Sequence, residues 1–438
     1  MDWWWALLLI FGGLMLLIAT GLPIAFGFLG IILVGTFLFW GGQKQVMLLS
    51  LTMFSTLASY TLLPVAMFIL MGEVIFESGI GFTVIDALDK WVGRMRARLS
   101  LLAVASGAGL AALSGTAMGT VGLLGSALVP EMERRGYKKP MTLGPVLGSC
   151  GLAMMIPPSA IGVILAYIAQ ISVAKVLIGG IIPGLMMAIL YAGYIIIRCR
   201  LQPSLAPAYE APPTPLSDKV RSFIRDILPF GFIVFMVTGT ILMGIATPSE
   251  ASATGALGCF ILAAAYRKLS WGVLERILWG TIRIVGMVLL IIMASVAFGQ
   301  MLAFSGASRG LINLAMGAPV TPVVLVIAMF IILIFLGMFM DDLAIIMITV
   351  PIFFPIILAF GYNPVWFAIL MLLSLEMAST TPPYGVVLFV MKGVAPPDTT
   401  MGDIYKSAIP FLLCDVVAVA LMIAFPIIPV WLGDLMLG

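Results

Sequence analysis

Long apolar runs separated by short polar interruptions fill the chain, and their lengths set the fold class. Runs at about 3–19, 22–40, 62–77, 140–170, 175–197, 226–243, 248–266, 286–303, 362–392 and 405–430 each suit one membrane-crossing helix, which needs about 20 apolar residues. Two further runs, 99–130 and 321–358, are too long for one crossing and are broken mid-way by small or polar residues. They read as re-entrant helical hairpins, because irregular backbone at that depth is tolerated only where protein or a water-filled cavity surrounds it. The less apolar segments 43–60 and 269–284 read as arms lying along the interface. A polar, proline-rich stretch from Gln202 to Asp218 forms a linker near the midpoint. The pattern predicts an all-α polytopic membrane protein.

Charge fixes an orientation for these spans. With the loop after the third span placed inside, 19 of the 22 Lys and Arg residues fall on the cytoplasmic side, among them Arg94, Arg96, Arg98, Arg134, Arg135, Arg198 and Arg225. Only Lys44, Lys175 and Arg309 fall outside. This positive-inside bias places both termini on the periplasmic side, opens the first hairpin inward and opens the second outward. Trp3–Trp5 then read as an interfacial belt rather than part of a cleavable signal peptide.

The halves on either side of the linker match at a nearly constant offset. Pro23 pairs with Pro248, Gly30 with Gly255 and Pro157-Pro158 with Pro382-Pro383, each 225 residues apart; Ser78-Gly79 pairs with Ser305-Gly306 and Pro183 with Pro410, each 227 apart. Each half holds five spans and one hairpin. An odd number of crossings inverts the second half, which gives two inverted-topology repeats, the plan of many secondary transporters.

Composition excludes several functions. A chain that is 62% hydrophobic and 9% charged, with mean hydropathy +1.21, is not a soluble domain, in which about 25% of residues are charged. The absence of histidine removes imidazole catalysis and histidine metal sites. Cys150, Cys199, Cys259 and Cys414 are too scattered for a disulfide framework. A net charge of +3 suggests no nucleic-acid partner. No Walker, HExxH or GxSxG arrangement is present at an expected position, so the chain does not read as an enzyme.

The candidate chemistry sits where the helices break. Ser114-Gly115-Thr116-Ala117-Met118-Gly119-Thr120 interrupts the first hairpin; hydroxyls and freed carbonyls there suit a hard cation or a substrate, although small residues also serve close helix packing. Ile156-Pro157-Pro158-Ser159 breaks the fourth span, and Ser379-Thr380-Thr381-Pro382-Pro383 repeats the device. Consecutive prolines remove two backbone donors and free the carbonyls before them. The second hairpin turns at Gly337-Met338-Phe339-Met340-Asp341-Asp342, and acids deep in an apolar segment are functional by default. Glu73, Glu250 and Glu376 also lie in or beside spans; Glu250 reads equally well as a helix cap.

These motifs resemble the large membrane subunit of tripartite ATP-independent periplasmic (TRAP) transporters, DctM-like, within the ion transporter superfamily. The resemblance rests on Gly21-Leu22-Pro23-Ile24-Ala25-Phe26, Leu113-Ser114-Gly115-Thr116-Ala117, Ile156-Pro157-Pro158-Ser159, Gly244-Ile245-Ala246-Thr247-Pro248-Ser249-Glu250-Ala251, Gly337-Met338-Phe339-Met340-Asp341, Thr381-Pro382-Pro383-Tyr384-Gly385 and Lys392-Gly393-Val394-Ala395-Pro396-Pro397, in order along nearly the whole chain. It implies sodium-driven uptake of an organic acid across the bacterial or archaeal inner membrane, with two or more Na⁺ as coupling ions and no organic cofactor. It implies as partners a periplasmic substrate-binding protein, membrane lipid and a small four-helix membrane subunit, here a separate polypeptide. It also implies an elevator motion. Scaffold spans and the first arm would occupy 1–98, part of the transport domain 99–170, a span 171–200 and the linker 201–222. In the second half, scaffold and arm would occupy 223–320, the rest of the transport domain 321–392 and the last span 393–438.

By the same resemblance Ser114, Ser159 and Asp341 would contact substrate. One sodium would sit among Ser114, Gly115, Thr116, Ser149, Gly151 and Pro157, and another among Gly337, Asp341, Thr380, Thr381 and Pro382. Asp342 departs from the pattern, since many members have glycine there; we expect it to lie nearer the outer water than Asp341. A standalone sodium/carboxylate symporter of the same superfamily and a channel remain alternative readings.

Overall fold

The structure is a computed structural model that describes residues 3–39, 42–91, 97–114, 117–207 and 215–437. Among these, helices account for nearly all regular structure and no strand occurs. The first half comprises α1 (Trp3–Ala19), α2 (Ile24–Phe39), α3 (Gln43–Leu57), α4 (Leu63–Glu77), α5 (Ile80–Trp91), a hairpin of α6 (Arg98–Ser114) and α7 (Ala117–Arg134), and a broken pair α8 (Lys139–Met155) and α9 (Ala160–Ile168), followed by α10 (Val173–Gly179) and α11 (Ile181–Leu201). Then α12 (Leu216–Ser222), α13 (Leu228–Val234) and α14 (Thr240–Leu242) run on through two π-helical segments into one rod. The second half continues with α15 (Pro248–Ala265), α16 (Trp271–Phe304), α17 (Ala307–Gly317), a hairpin of α18 (Pro322–Gly337) and α19 (Asp342–Ala359), a broken pair α20 (Pro364–Thr380) and α21 (Val386–Val394), and finally α22 (Met401–Ala424) and α23 (Ile427–Leu437).

Six helices or helical rods among the described residues are long and apolar enough to cross a membrane, and seven when α8 and α9, bent by 46°, count as one. Large apolar side chains such as Leu16, Phe54, Ile189 and Ile261 stand exposed on the outer surface, where lipid rather than water is their solvent. The chain is a multi-pass membrane protein.

The structure differs from the sequence expectation in three respects. The arm at 269–284 and the span at 286–303 are one continuous helix of 34 residues, α16, because nothing between Trp271 and Phe304 interrupts its backbone. In the first half Pro64, in the first turn of α4, separates arm from span, since proline suits a helix start and not its interior. Two amphipathic helices, α5 and α17, fill what the apolar pattern left as loops. Each follows a glycine with positive φ, Gly79 at +66° and Gly306 at +77°, a conformation that other residues rarely adopt. The last span ends at Ala424, and α23 is a separate helix that packs on α10, α11 and α20; Lys175 pairs with its Asp434 at 3.2 Å.

The core lies around α8 and α20. Every residue of α8 from Met141 to Met155, and of α20 from Val365 to Thr380, is buried. Glycines on α8 allow this: a Cβ on Gly144 would lie 2.7 Å from the Ser407 carbonyl and 2.5 Å from the Phe411 ring of α22, and one on Gly148 would lie 2.5 Å from the same ring. The Trp366 indole donates to the Met422 carbonyl at 2.8 Å, and Tyr191 of α11 donates to Asp415 of α22. At one end Lys139 binds Glu133 at 2.7 Å and Asp398 at 2.9 Å, tying the first hairpin to the loop after α21. That hydrogen bond also holds the Asp398 carboxyl below its ordinary range.

Because a backbone oxygen blocks the Gly144 site, Gly144→Ala should destabilise the protein by about 1–3 kcal/mol, the usual cost of overpacking. Thermal melting of the purified protein in detergent checks this, and an unchanged transition would show that α8 and α22 separate without cost.

Candidate substrate and ion site

Close helix approach positions the second hairpin turn. A Cβ on Gly337 would lie 2.1 Å from the Cβ of Ala378 on α20, so α18 reaches its turn in contact with the helix whose break follows. Asp341 is extended (φ −71°, ψ 151°) and caps α19, its carboxylate accepting the Leu343 N–H at 3.2 Å. Asp342 begins the helix. An acid at a helix N-terminus is favoured by the helix dipole, which offsets part of the cost of holding two adjacent carboxylates at this turn.

The broken helices expose polar groups of another kind. Ser159 caps α9, its Oγ accepting the Gly162 N–H at 3.1 Å. The Pro157 carbonyl accepts the Thr238 hydroxyl at 3.3 Å, so one carbonyl freed by the break is met by the rod of α12–α14. Across the structure, the Thr381 hydroxyl donates to the Met377 carbonyl at 2.6 Å and the Thr380 hydroxyl to that carbonyl at 3.1 Å. A hydroxyl that gives its proton to its own helix retains oxygen lone pairs, which a cation can use. A Cβ on Gly385 would lie 2.4 Å from the Ser379 carbonyl, so glycine lets the chain fold back on the break.

Between these breaks and two other helices lies a cavity of about 440 Å³. Its walls come from the start of α7, the facing ends of α8 and α9, the turn between α18 and α19, Ser379 and the start of α21, with α4 and α16 closing the other side. Most of the lining is apolar. The charged residues on it are Asp341, Asp342 and Glu73, and Thr120 and Ser379 add hydroxyls.

Of the residues singled out from sequence, Glu73, Ala117 to Thr120, Gly337, Met340, Asp341, Asp342 and Ser379 line the cavity, as does Ala160 next to Ser159. Ser149, Gly151, Pro157, Ser159, Thr380, Thr381 and Pro382 do not line it. The Ser149 hydroxyl bonds the Val146 carbonyl at 3.2 Å and packs against Gly107. Gly115, Thr116 and the side chain of Ser114 lie outside the described residues. The expectation for Asp342 is corrected: as the first residue of α19 it lines the cavity beside its cap, Asp341. Glu250 proves to be a cap, forming a reciprocal capping box with Thr247 at the start of α15.

Three acids gained meaning only from the fold. Glu73 of α4 lines the cavity, pressed against Gly280 of α16, where a Cβ would lie 2.6 Å from its Oε2. Asp415, in the apolar last span, is the acceptor for Tyr191; an acid between Cys414 and Val416 was the available signal. Glu376 is wholly buried, and neither carboxylate oxygen has a hydrogen-bond partner. Among the described residues no three of Asp, Glu and Cys converge as a metal cluster.

This all-helical fold of hairpins and broken helices around a small, mostly apolar cavity is that of a polytopic membrane protein. The YdaH transporter of Alcanivorax borkumensis has a similar fold, with TM-score 0.61 at 15% identity over 90% of each chain. The family model for the tripartite ATP-independent periplasmic transporter, DctM component, matches residues 11–428, and the chain belongs to this family. It is 30% identical to the C4-dicarboxylate TRAP transporter large permease protein DctM of Pseudomonas aeruginosa, over 88% of this chain and 90% of that one. It is 28% identical to the ectoine TRAP transporter large permease protein TeaC of Halomonas elongata, over 97% of each. It is 27% identical to the sialic acid TRAP transporter large permease protein SiaM of Vibrio cholerae, over 98% of each.

Asparagine caps helices about as well as aspartate, so Asp341→Asn removes the charge and keeps the turn. Losing one charged hydrogen bond costs about 1.5–3 kcal/mol, or roughly ten- to a hundred-fold in uptake. Asp341→Asn should therefore melt like the wild type and transport poorly, and Asp342→Asn should lose uptake as well. Normal uptake by both variants in proteoliposomes would remove the turn from the site.

Proposed function

We propose that this chain is the large permease subunit of a TRAP transporter that takes up an organic acid on a sodium gradient. A periplasmic substrate-binding protein delivers the substrate and a small four-helix membrane subunit completes the complex. The observation that carries the reading is the cavity itself. The ends of two broken helices and a hairpin turn meet there and bring the hydroxyls of Thr120 and Ser379 and the carboxylates of Asp341, Asp342 and Glu73, oxygens that suit Na⁺, to an apolar chamber of small-molecule size. The curated relatives carry different substrates, so the acid is chosen largely by the binding protein.

An inverted repeat and an elevator motion fit this reading. Hairpin, broken helix and long helix recur in the same order in both halves, and the prolines at the two breaks are 225 residues apart. Gly151 and Glu376, at the same spacing, touch where α8 and α20 cross, as positions near a two-fold axis do. The 99–170 and 321–392 segments would move as one body, α4, α16 and the other spans would stay as scaffold, and both termini would face the periplasm.

The decisive experiment reconstitutes the chain with its two partner proteins in liposomes. Uptake that saturates and stops without a sodium gradient supports the permease, whereas unsaturable flux would mean a channel and uptake without partners a standalone symporter. Thr381→Val removes one ligand oxygen, worth about 1 kcal/mol, and should raise the sodium needed for half-maximal uptake about five-fold; an unaltered sodium dependence argues against a site at this break. A cysteine at Met118 should crosslink to cysteines at two depths of α4, at Ile69 and at Phe76, in proportions that change with sodium. Crosslinking at one depth under every condition would mean that the hairpin does not move.

A further inference from the structure

Glu376 sits in the interior of the helix assembly with no exposed surface and no partner for either carboxylate oxygen. Its carboxyl lies against the backbone of Gly151, where a Cβ would stand 1.8 Å from Oε1, so any side chain on α8 at this point would displace it. Four lysines lie on the helices packed on α20, and none acts on Glu376: Lys139 at the start of α8 is held by Glu133 and Asp398, and Lys406 lies near the start of α22. Lys175 of α10 pairs with Asp434 of α23, and Lys392 of α21 bonds the Thr399 carbonyl. No titratable residue occurs on α18. Asp415 of α22 and Asp342 of α19 are the acids that act on Glu376.

The surroundings are therefore acidic, and an isolated carboxylate in a membrane interior is among the costliest groups to bury. A cation relieves that cost, and carboxylate oxygens are suitable ligands for a hard one. The position also communicates with the cavity. Ser379, on the cavity wall, is three residues further along α20, and its hydroxyl donates to the Glu376 carbonyl at 2.8 Å.

We propose that Glu376 is the carboxylate ligand of a monovalent coupling cation, sodium, held where α8 and α20 cross and behind the substrate cavity. The inference rests on the sodium-coupled reading above and adds to it a charged ligand that the hydroxyl and carbonyl sites lack. It makes Gly151 the residue that keeps room for the carboxylate rather than a ligand.

The test compares wild type, Glu376→Gln and Glu376→Asp as full-length protein. In detergent, sodium chloride should raise the melting temperature of the wild type above that in choline chloride of equal ionic strength. The Gln variant should need at least ten-fold more sodium for the same rise. Glu376→Asp keeps the charge and withdraws it by one methylene, so it should shift in the same direction and less, which keeps the test open if Gln does not fold. In liposomes with the partner proteins, the charge moved per substrate should fall by one in the Gln variant. Wild-type sodium dependence of melting and transport in a folded Gln variant overturns the proposal, as does a variant altered in its response to pH alone. Because the melting measurement needs no transport, a sodium effect lost with Glu376 in a protein that shows no sodium-driven uptake would support the cation site and overturn the transport reading instead.

Discussion

A helix that breaks inside a membrane must find partners for its freed backbone groups in protein, because lipid offers none. The rest of the structure depends on that constraint. The breaks at Ile156–Ser159 and Thr381–Gly385 stand at the ends of α8 and α20, the two most completely buried helices. The Thr238 hydroxyl meets the carbonyl of one break, and Tyr405 donates to the Pro383 carbonyl at the other at 2.8 Å. Hairpins and outer helices are arranged around these two points.

Small residues bring the breaks together. Gly144 and Gly148 admit the Phe411 ring, Gly151 admits the Glu376 carboxyl and Gly337 admits Ala378. In lipid, where helices gain little from apolar burial against one another, such close contact is a main source of association. The same contacts place polar groups of distant segments around one cavity, so packing and site construction are one event. The lysine cluster at Lys139 adds a polar tie at the far end.

The cavity combines apolar walls with a concentration of acids. Asp341 and Asp342 come from the start of α19, and Glu73 comes from the opposite wall. Ligand pockets commonly pair a mostly apolar lining with a few placed polar groups. Here those groups are carboxylates and hydroxyls, oxygen donors suited to hard cations.

Much of this was legible along the chain. Apolar run length determined the helical membrane class and nearly all the helices, since each crossing must be long and apolar whatever its neighbours are. Paired prolines and the Gly337–Asp342 turn marked the breaks, because they are local backbone chemistry. Tertiary structure decided what depends on contact between distant segments. Arm and span merged in α16, where no breaker intervenes, and the amphipathic helices α5 and α17 formed on faces that only packing supplies. Asp342 turned into the cavity because the direction of α19 sets where its first residues point. Glu73, Asp415 and Glu376 were visible as acids in apolar surroundings, but the residues that face them come from segments far away in sequence: Gly280, Tyr191 and Gly151. A linear pattern records that a charge is buried in the membrane; only the fold determines what faces it.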